Sequence, residues 1–194
     1  MPRPCEWGRM TPMTQRILIL GIGNPLMTDE GVGVRVAELL MGGYEFPEGV
    51  EVVDAGTMGL GIINLFRDRD LVIVVDAVDN SGHEPGTVVL MTPEELAPAQ
   101  VMHSLHDVRF VNVLEAAALT GVEPQAICVG IQIASMEQWV TELTPAVEEA
   151  LPSAVAAVLD ILAAQGVEPR PVEGGTVDAD IIAAIRTRAR MPEA

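Results

Sequence analysis

Aromatic side chains are scarce in this 194-residue chain: two Trp, one Tyr and three Phe, 3% of the sequence. That leaves little material for a base-stacking platform, so single-stranded nucleic acid is a poor fit as a partner. Cations are scarce as well, with 11 Lys plus Arg against 28 Asp plus Glu and a formal charge of −17. A surface of that sign repels nucleic-acid phosphates and anionic membranes. Cysteine is limited to Cys5 and Cys128, too far apart in sequence for a closely spaced thiolate metal site and too few for a disulfide framework. No run approaches the roughly 18 apolar residues of a spanning helix, and the N-terminal stretch lacks the apolar core of a signal peptide. These absences predict a cytoplasmic protein that engages neither nucleic acid nor membrane.

What the chain has in quantity is aliphatic: 49% of it is apolar and only 20% charged, including ten Met. That composition supports one hydrophobic core of ordinary size built from Ala, Val, Ile, Leu and Met. Residues 1–15 carry three prolines and no periodic pattern and read as a loosely ordered tail. The apolar run 17–20, closed by Gly21, predicts a buried first strand, and Val32, Val36, Leu39 and Leu40 follow helical spacing, with Thr28 or Asp29 as the cap.

The alternation then repeats. Strands are predicted at 50–53, 71–75, 87–91 and 126–133, with helices at 60–66, 108–120 and from Thr144-Pro145 to about 165, where Gly166 stops the last one. Thr92-Pro93-Glu94-Glu95 has the cap, the first-turn proline and the glutamate of a capping box. The uninterrupted run Leu71-Val72-Ile73-Val74-Val75 marks a strand covered on both faces, as in parallel sheets. The expected fold is therefore α/β: a three-layer sandwich with a mostly parallel twisted sheet and helices on both faces, a single domain over residues 16–167. Residues 168–194 read as a Pro/Gly linker followed by an accessory helix at 177–190.

In an open α/β sheet the binding crevice lies beyond the carboxyl ends of the strands, and each of the first three such loops holds an acid. Gly21 and Gly23 suggest a phosphate cradle, but Leu26 stands where a dinucleotide fingerprint needs its third glycine. Asp29 and Glu30 would moreover place negative charge where a pyrophosphate should sit. Asp29 suits a helix cap, which leaves Glu30 to point into the crevice. Asp54, in Asp54-Ala55-Gly56-Thr57, reads as a turn former. Asp76 closes the apolar strand, where a carboxylate is desolvated unless something pairs with it. His103 and His106 lie just before a helix; two carboxylates and an imidazole from such loops would make an open O/N site for a cation such as Zn²⁺ or Ni²⁺.

The run from Ile19 through Gly21-Ile22-Gly23-Asn24-Pro25-Leu26-Met27-Thr28-Asp29-Glu30-Gly31-Val32-Gly33 resembles the N-terminal signature of the NiFe-hydrogenase maturation proteases. Asp54-Ala55-Gly56-Thr57, Val75-Asp76-Ala77 and Ser104-Leu105-His106-Asp107 resemble the family's later motifs, in the same order. The resemblance implies an endopeptidase, of aspartyl-type or metal-dependent character, that removes a C-terminal extension from the nickel-loaded precursor of the hydrogenase large subunit. It further implies that Glu30, Asp76 and His106 are both the catalytic and the metal-contacting residues, and that the nickel is supplied by the substrate, with Zn²⁺ or Cd²⁺ as surrogates in vitro. A non-catalytic nickel-binding maturation chaperone and a nucleotide-binding oxidoreductase are the competing readings.

Overall fold

The computed structural model describes residues 15–99 and 110–175. Its centre is a five-stranded sheet. Strand β1 (Ile17–Ile22) leads through a 3₁₀ turn (Thr28–Gly31) into helix α1 (Val32–Gly43), followed by the short strand β2 (Tyr44–Glu45) and by β3 (Val50–Gly56). A 3₁₀ segment (Gly59–Phe66) leads to β4 (Leu71–Val78), then β5 (Val88–Met91), α2 (Pro93–Ala99), α3 (Phe110–Ala118) and β6 (Gln125–Gln132). Helix α4 (Pro145–Ala164) and the short β7 (Arg170–Pro171) complete the described chain.

The strand order is β3-β1-β4-β6-β5, parallel throughout except for β5, which runs antiparallel to β6 at the edge. Strand alternation sorts the core into two layers. Ile17, Ile19, Ile73 and Val75 pack with Val36 and Leu40 of α1 and with Val155, Leu159 and Leu162 of α4. On the opposite face Leu18, Leu20, Val72 and Val74 meet Phe66, Leu96, Phe110 and Val113, with the rings of Phe66 and Phe110 edge to face at 6.1 Å. Helices thus cover both faces, which is why β4 is buried along its whole length.

The capping box at the start of α2 is present in both directions: Glu95 N–H donates to Thr92 Oγ1 at 3.3 Å and Thr92 N–H donates to Glu95 Oε2 at 2.8 Å. Residues 60–66 adopt 3₁₀ rather than α geometry. Within the stretch read as a linker, Arg170–Pro171 pair antiparallel with Tyr44–Glu45. The segment 177–190 lies outside the described residues.

The connectivity creates one reversal that matters. From β1 the chain moves to β3 on one side, then returns past β1 to β4 on the other. The connections leaving β1 and β4 therefore run to opposite sides and leave a crevice beyond the carboxyl ends of these paired strands, a topological switch point where open α/β sheets bind their ligands.

Candidate active site

Leaving β1, the chain folds back on itself at Gly23, whose φ is 140° and whose missing Cβ would lie 1.9 Å from the Glu30 carbonyl oxygen. Only glycine fits there. At Gly33 a Cβ would lie 2.2 Å from the Ile22 oxygen and 2.4 Å from the Val75 oxygen, so α1 starts in direct contact with the ends of both β1 and β4. The glycine-rich signature is thus a self-packing device. Its open faces are filled by the protein's own backbone, which removes the space that a dinucleotide phosphate would occupy.

Between these glycines the loop is held from outside. Thr28, a β-branched residue, sits in left-handed backbone with φ 42°. Its N–H donates to Val140 O at 2.7 Å and its hydroxyl to Glu137 O at 2.9 Å. Such strain persists only where the surroundings over-determine it, and here residues 137–140 do so, directly before the two acids.

The cap expected of Asp29 is not made: no side chain caps the 3₁₀ turn or α1. Asp29 is 0% exposed and reaches across the molecule instead. Its Oδ2 accepts the N–H groups of Ala134 and Ser135 at 2.9 and 3.0 Å and the Thr144 hydroxyl at 2.8 Å, while Oδ1 accepts the Thr144 N–H at 2.7 Å. The carboxylate ties the 28–31 turn to the loop after β6 and to the N-terminus of α4, whose positive end of the helix dipole favours it. Sequence reasoning missed this partnership because its two halves lie more than a hundred positions apart.

With Asp29 engaged below, Glu30 is left at the crevice, half-buried and with its Oε2 shielded from solvent. The turn that carries it packs against β4. Asp76 lies on that strand one position beyond Val75, which registers with Gly21 of β1, and it is 4% exposed. Its Oδ1 accepts the Ala77 N–H at 2.9 Å. The two acids singled out from sequence therefore lie on the carboxyl side of adjacent central strands, Glu30 in the turn that follows β1 and Asp76 near the end of β4. His106, with His103, Ser104 and Asp107, lies outside the described residues, among which no three His, Cys, Asp or Glu side chains form a metal-binding group.

Asp54 behaves as the turn former expected of it, accepting the Gly56 N–H at 2.9 Å. Cys128 faces the same sheet side as Val74, fully buried; burial, with the negative charges of Asp76 and Glu94, pushes its thiol up to about 12. A thiol held protonated in this way is no nucleophile at neutral pH.

Comparison with known proteins gives this arrangement a setting. A family model described as hydrogenase maturation protease matches residues 34–161. The chain is 38% identical over 161 residues to the hydrogenase 2 maturation protease of Escherichia coli K12, covering 81% of this chain and 97% of that protein. It is 43% identical over 169 residues to the hydrogenase expression/formation protein HupM of Azotobacter chroococcum, covering 85% and 80% respectively. Among solved structures, the hydrogenase maturating endopeptidase HybD from E. coli superimposes with a TM-score of 0.74 at 35% identity, over 83% of this chain and all of that one.

Proposed function

This chain belongs to the hydrogenase maturation protease family, and from that premise we propose that it is the endopeptidase that removes a C-terminal extension from the nickel-loaded precursor of a NiFe-hydrogenase large subunit. The observation that carries the reading is the placement of Glu30, in the turn that follows β1 and packs on β4, and of Asp76, near the carboxyl end of β4, at the sheet's switch point. Among the described residues no helix is long and apolar enough to cross a membrane, and the proposed partner is a protein.

In this reading Glu30, Asp76 and His106 offer oxygen and nitrogen donors to the nickel that the substrate itself carries. A precursor lacking nickel has nothing for these side chains to hold, so metallation becomes the condition for productive binding. Anchoring the precursor through its metal fixes the scissile peptide beside the crevice, and such positioning lowers the entropic part of the barrier. Hydrolysis then adds water across the amide: the carbonyl carbon gains the hydroxyl oxygen, the C–N bond breaks, and the leaving amine takes up a proton. The state of Cys128 favours water over a thiolate as the attacking group.

The test is to incubate the purified protein with nickel-loaded and nickel-free precursor and read intact masses. Loss of a C-terminal peptide from the loaded form alone is expected. Equal cleavage of both forms overturns the nickel condition, and binding of the loaded precursor with both masses unchanged replaces the endopeptidase with a maturation chaperone.

A further inference from the structure

Trp139 is one of two tryptophans in the chain, yet it stands 82% exposed and in left-handed backbone with φ 65°. A large aromatic held outside the core in a sparsely populated conformation is a feature that folding alone does not require. Its backbone N–H donates to Leu26 O at 2.8 Å, and Leu26 is itself exposed. Together with Asn24, Met27 and Gln138 the pair lines a shallow cavity of about 230 Å³.

This patch belongs to the loop that carries Glu30. The Trp139–Leu26 hydrogen bond, the Met27–Val140 bridge and the Thr28–Val140 hydrogen bond are successive rungs joining the two segments. The backbone that bears the indole is therefore tied to the same short stretch that presents the crevice carboxylate. Leu119, 90% exposed, provides the contrast: it follows α3 at the opposite end of the sheet, where β6 begins.

Charge says what sits on the patch. Glu137 and Glu142 flank Trp139 and are exposed, and the loops 24–30, 54–57, 76–84 and 134–144 contain no Lys or Arg. Among the described residues, Arg16, Arg67 and Arg69 lie at the far end of the sheet beside Asp68 and Glu51, Arg35 pairs with Glu38 at 3.0 Å, and Arg170 is in β7, opposite Glu45 of β2. An apolar anchor flanked by exposed acids, with no Lys or Arg in the described loops beside it, suits a partner that brings an apolar side chain flanked by cations.

We propose that Trp139 and Leu26 form a docking anchor for the large-subunit precursor, receiving an apolar residue from a cationic segment near the cleavage site. The assignment rests on the endopeptidase reading for the identity of the occupant and adds a contact that is independent of nickel. Its role is to bind and orient, so its removal raises KM and Kd far more than it lowers kcat.

The experiment titrates nickel-loaded precursor into wild type, Trp139→Ala, Leu26→Ser, Glu137→Lys and Leu119→Ser, following binding by the anisotropy of labelled precursor and processing by intact mass. Trp139→Ala is expected to raise Kd and KM about tenfold, as loss of an interface anchor does. Leu26→Ser and Glu137→Lys act in the same direction, and Leu119→Ser matches wild type. Because the indole is exposed, Trp139→Ala keeps the wild-type melting temperature to within about 2 °C, so a folding defect is separable from a docking defect. If wild type cleaves the precursor and Trp139→Ala does so with unchanged Kd and KM, the docking anchor is overturned and the endopeptidase stands. If wild type binds through Trp139 without cleaving, the endopeptidase is overturned and the anchor stands. If wild type fails to bind the precursor at all, the anchor falls as well.

Discussion

Asp29 and Thr144, 115 positions apart, share two hydrogen bonds: the Thr144 N–H reaches Oδ1 at 2.7 Å and its hydroxyl reaches Oδ2 at 2.8 Å. Thr144 precedes α4 and makes no side-chain cap to its own helix. Its hydroxyl serves the neighbouring carboxylate instead. One buried acid thereby joins the start of α4, the loop after β6 and the turn that presents Glu30.

Replacing that acid by its amide tests the junction. In Asp29→Asn one oxygen still accepts, but the new NH₂ faces backbone donors, leaving buried N–H groups without acceptors. A loss of about 2–4 kcal/mol in unfolding free energy is expected. Urea denaturation measures it, and a loss below about 0.5 kcal/mol would mean that the junction carries little stability.

Asp76→Asn is expected to behave in the opposite way. The variant keeps the size of a 4% exposed side chain and its amide oxygen can still accept the Ala77 N–H, so the fold should persist with a loss of about 1 kcal/mol or less. If Asp76 contacts the substrate's nickel as proposed, removing the charge weakens that donor, and processing should fall by orders of magnitude. His106→Ala should follow the same pattern, whereas His103→Ala should retain most activity. Full activity in folded Asp76→Asn protein would return the residue to a purely structural part.

The contrast between these neighbouring motifs shows what one sequence can disclose. Local chemistry was legible: the Thr92–Glu95 box, the Asp54 turn and the buried run of β4 all depend on residues within a few positions of one another. The crevice acids were legible because strand ends can be read from apolar runs, and because the Gly21 to Gly33 signature is long. Asp29 reads from sequence as a cap for its own helix because its partners are at 134, 135 and 144, a distance that periodicity does not span. Trp139 is silent in the sequence for a related reason: its exposure and its backbone bond to Leu26, more than a hundred positions away, arise only in the folded chain.

Cys128 predicts a pH dependence. Its thiol, ordinarily near 9, is raised to about 12 by burial and by the negative charges of Asp76 and Glu94. The folded state therefore holds the proton more tightly than the unfolded chain. This contribution is fully present below about pH 9 and is lost as pH rises from 9 toward 12. Urea midpoints taken across that window should fall less steeply in Cys128→Ala than in wild type, and alkylation of folded wild type at pH 8 should be negligible. Rapid labelling of Cys128 under native conditions would contradict the assignment.

The last prediction separates lack of space from lack of conformational freedom. Gly121 has φ 78° and a Cβ added there would meet nothing within 4 Å, so Gly121→Ala faces only the left-handed backbone penalty, about 1–2 kcal/mol. Gly33 meets a different obstacle: its Cβ would strike the carbonyl oxygens of Ile22 and Val75 at 2.2 and 2.4 Å, and both are backbone atoms fixed in the central sheet. Neither can rotate away, so α1 must lift from the strand ends. Gly33→Ala should lose about 3 kcal/mol or more. Lifting α1 also shifts the turn carrying Glu30 relative to Asp76, which follows Val75 directly, so the folded fraction of Gly33→Ala should process precursor far more slowly than wild type. Gly121→Ala, remote from the crevice, should process at the wild-type rate per folded molecule. Normal turnover by folded Gly33→Ala would show that the spacing of the two carboxylates is not set by this contact.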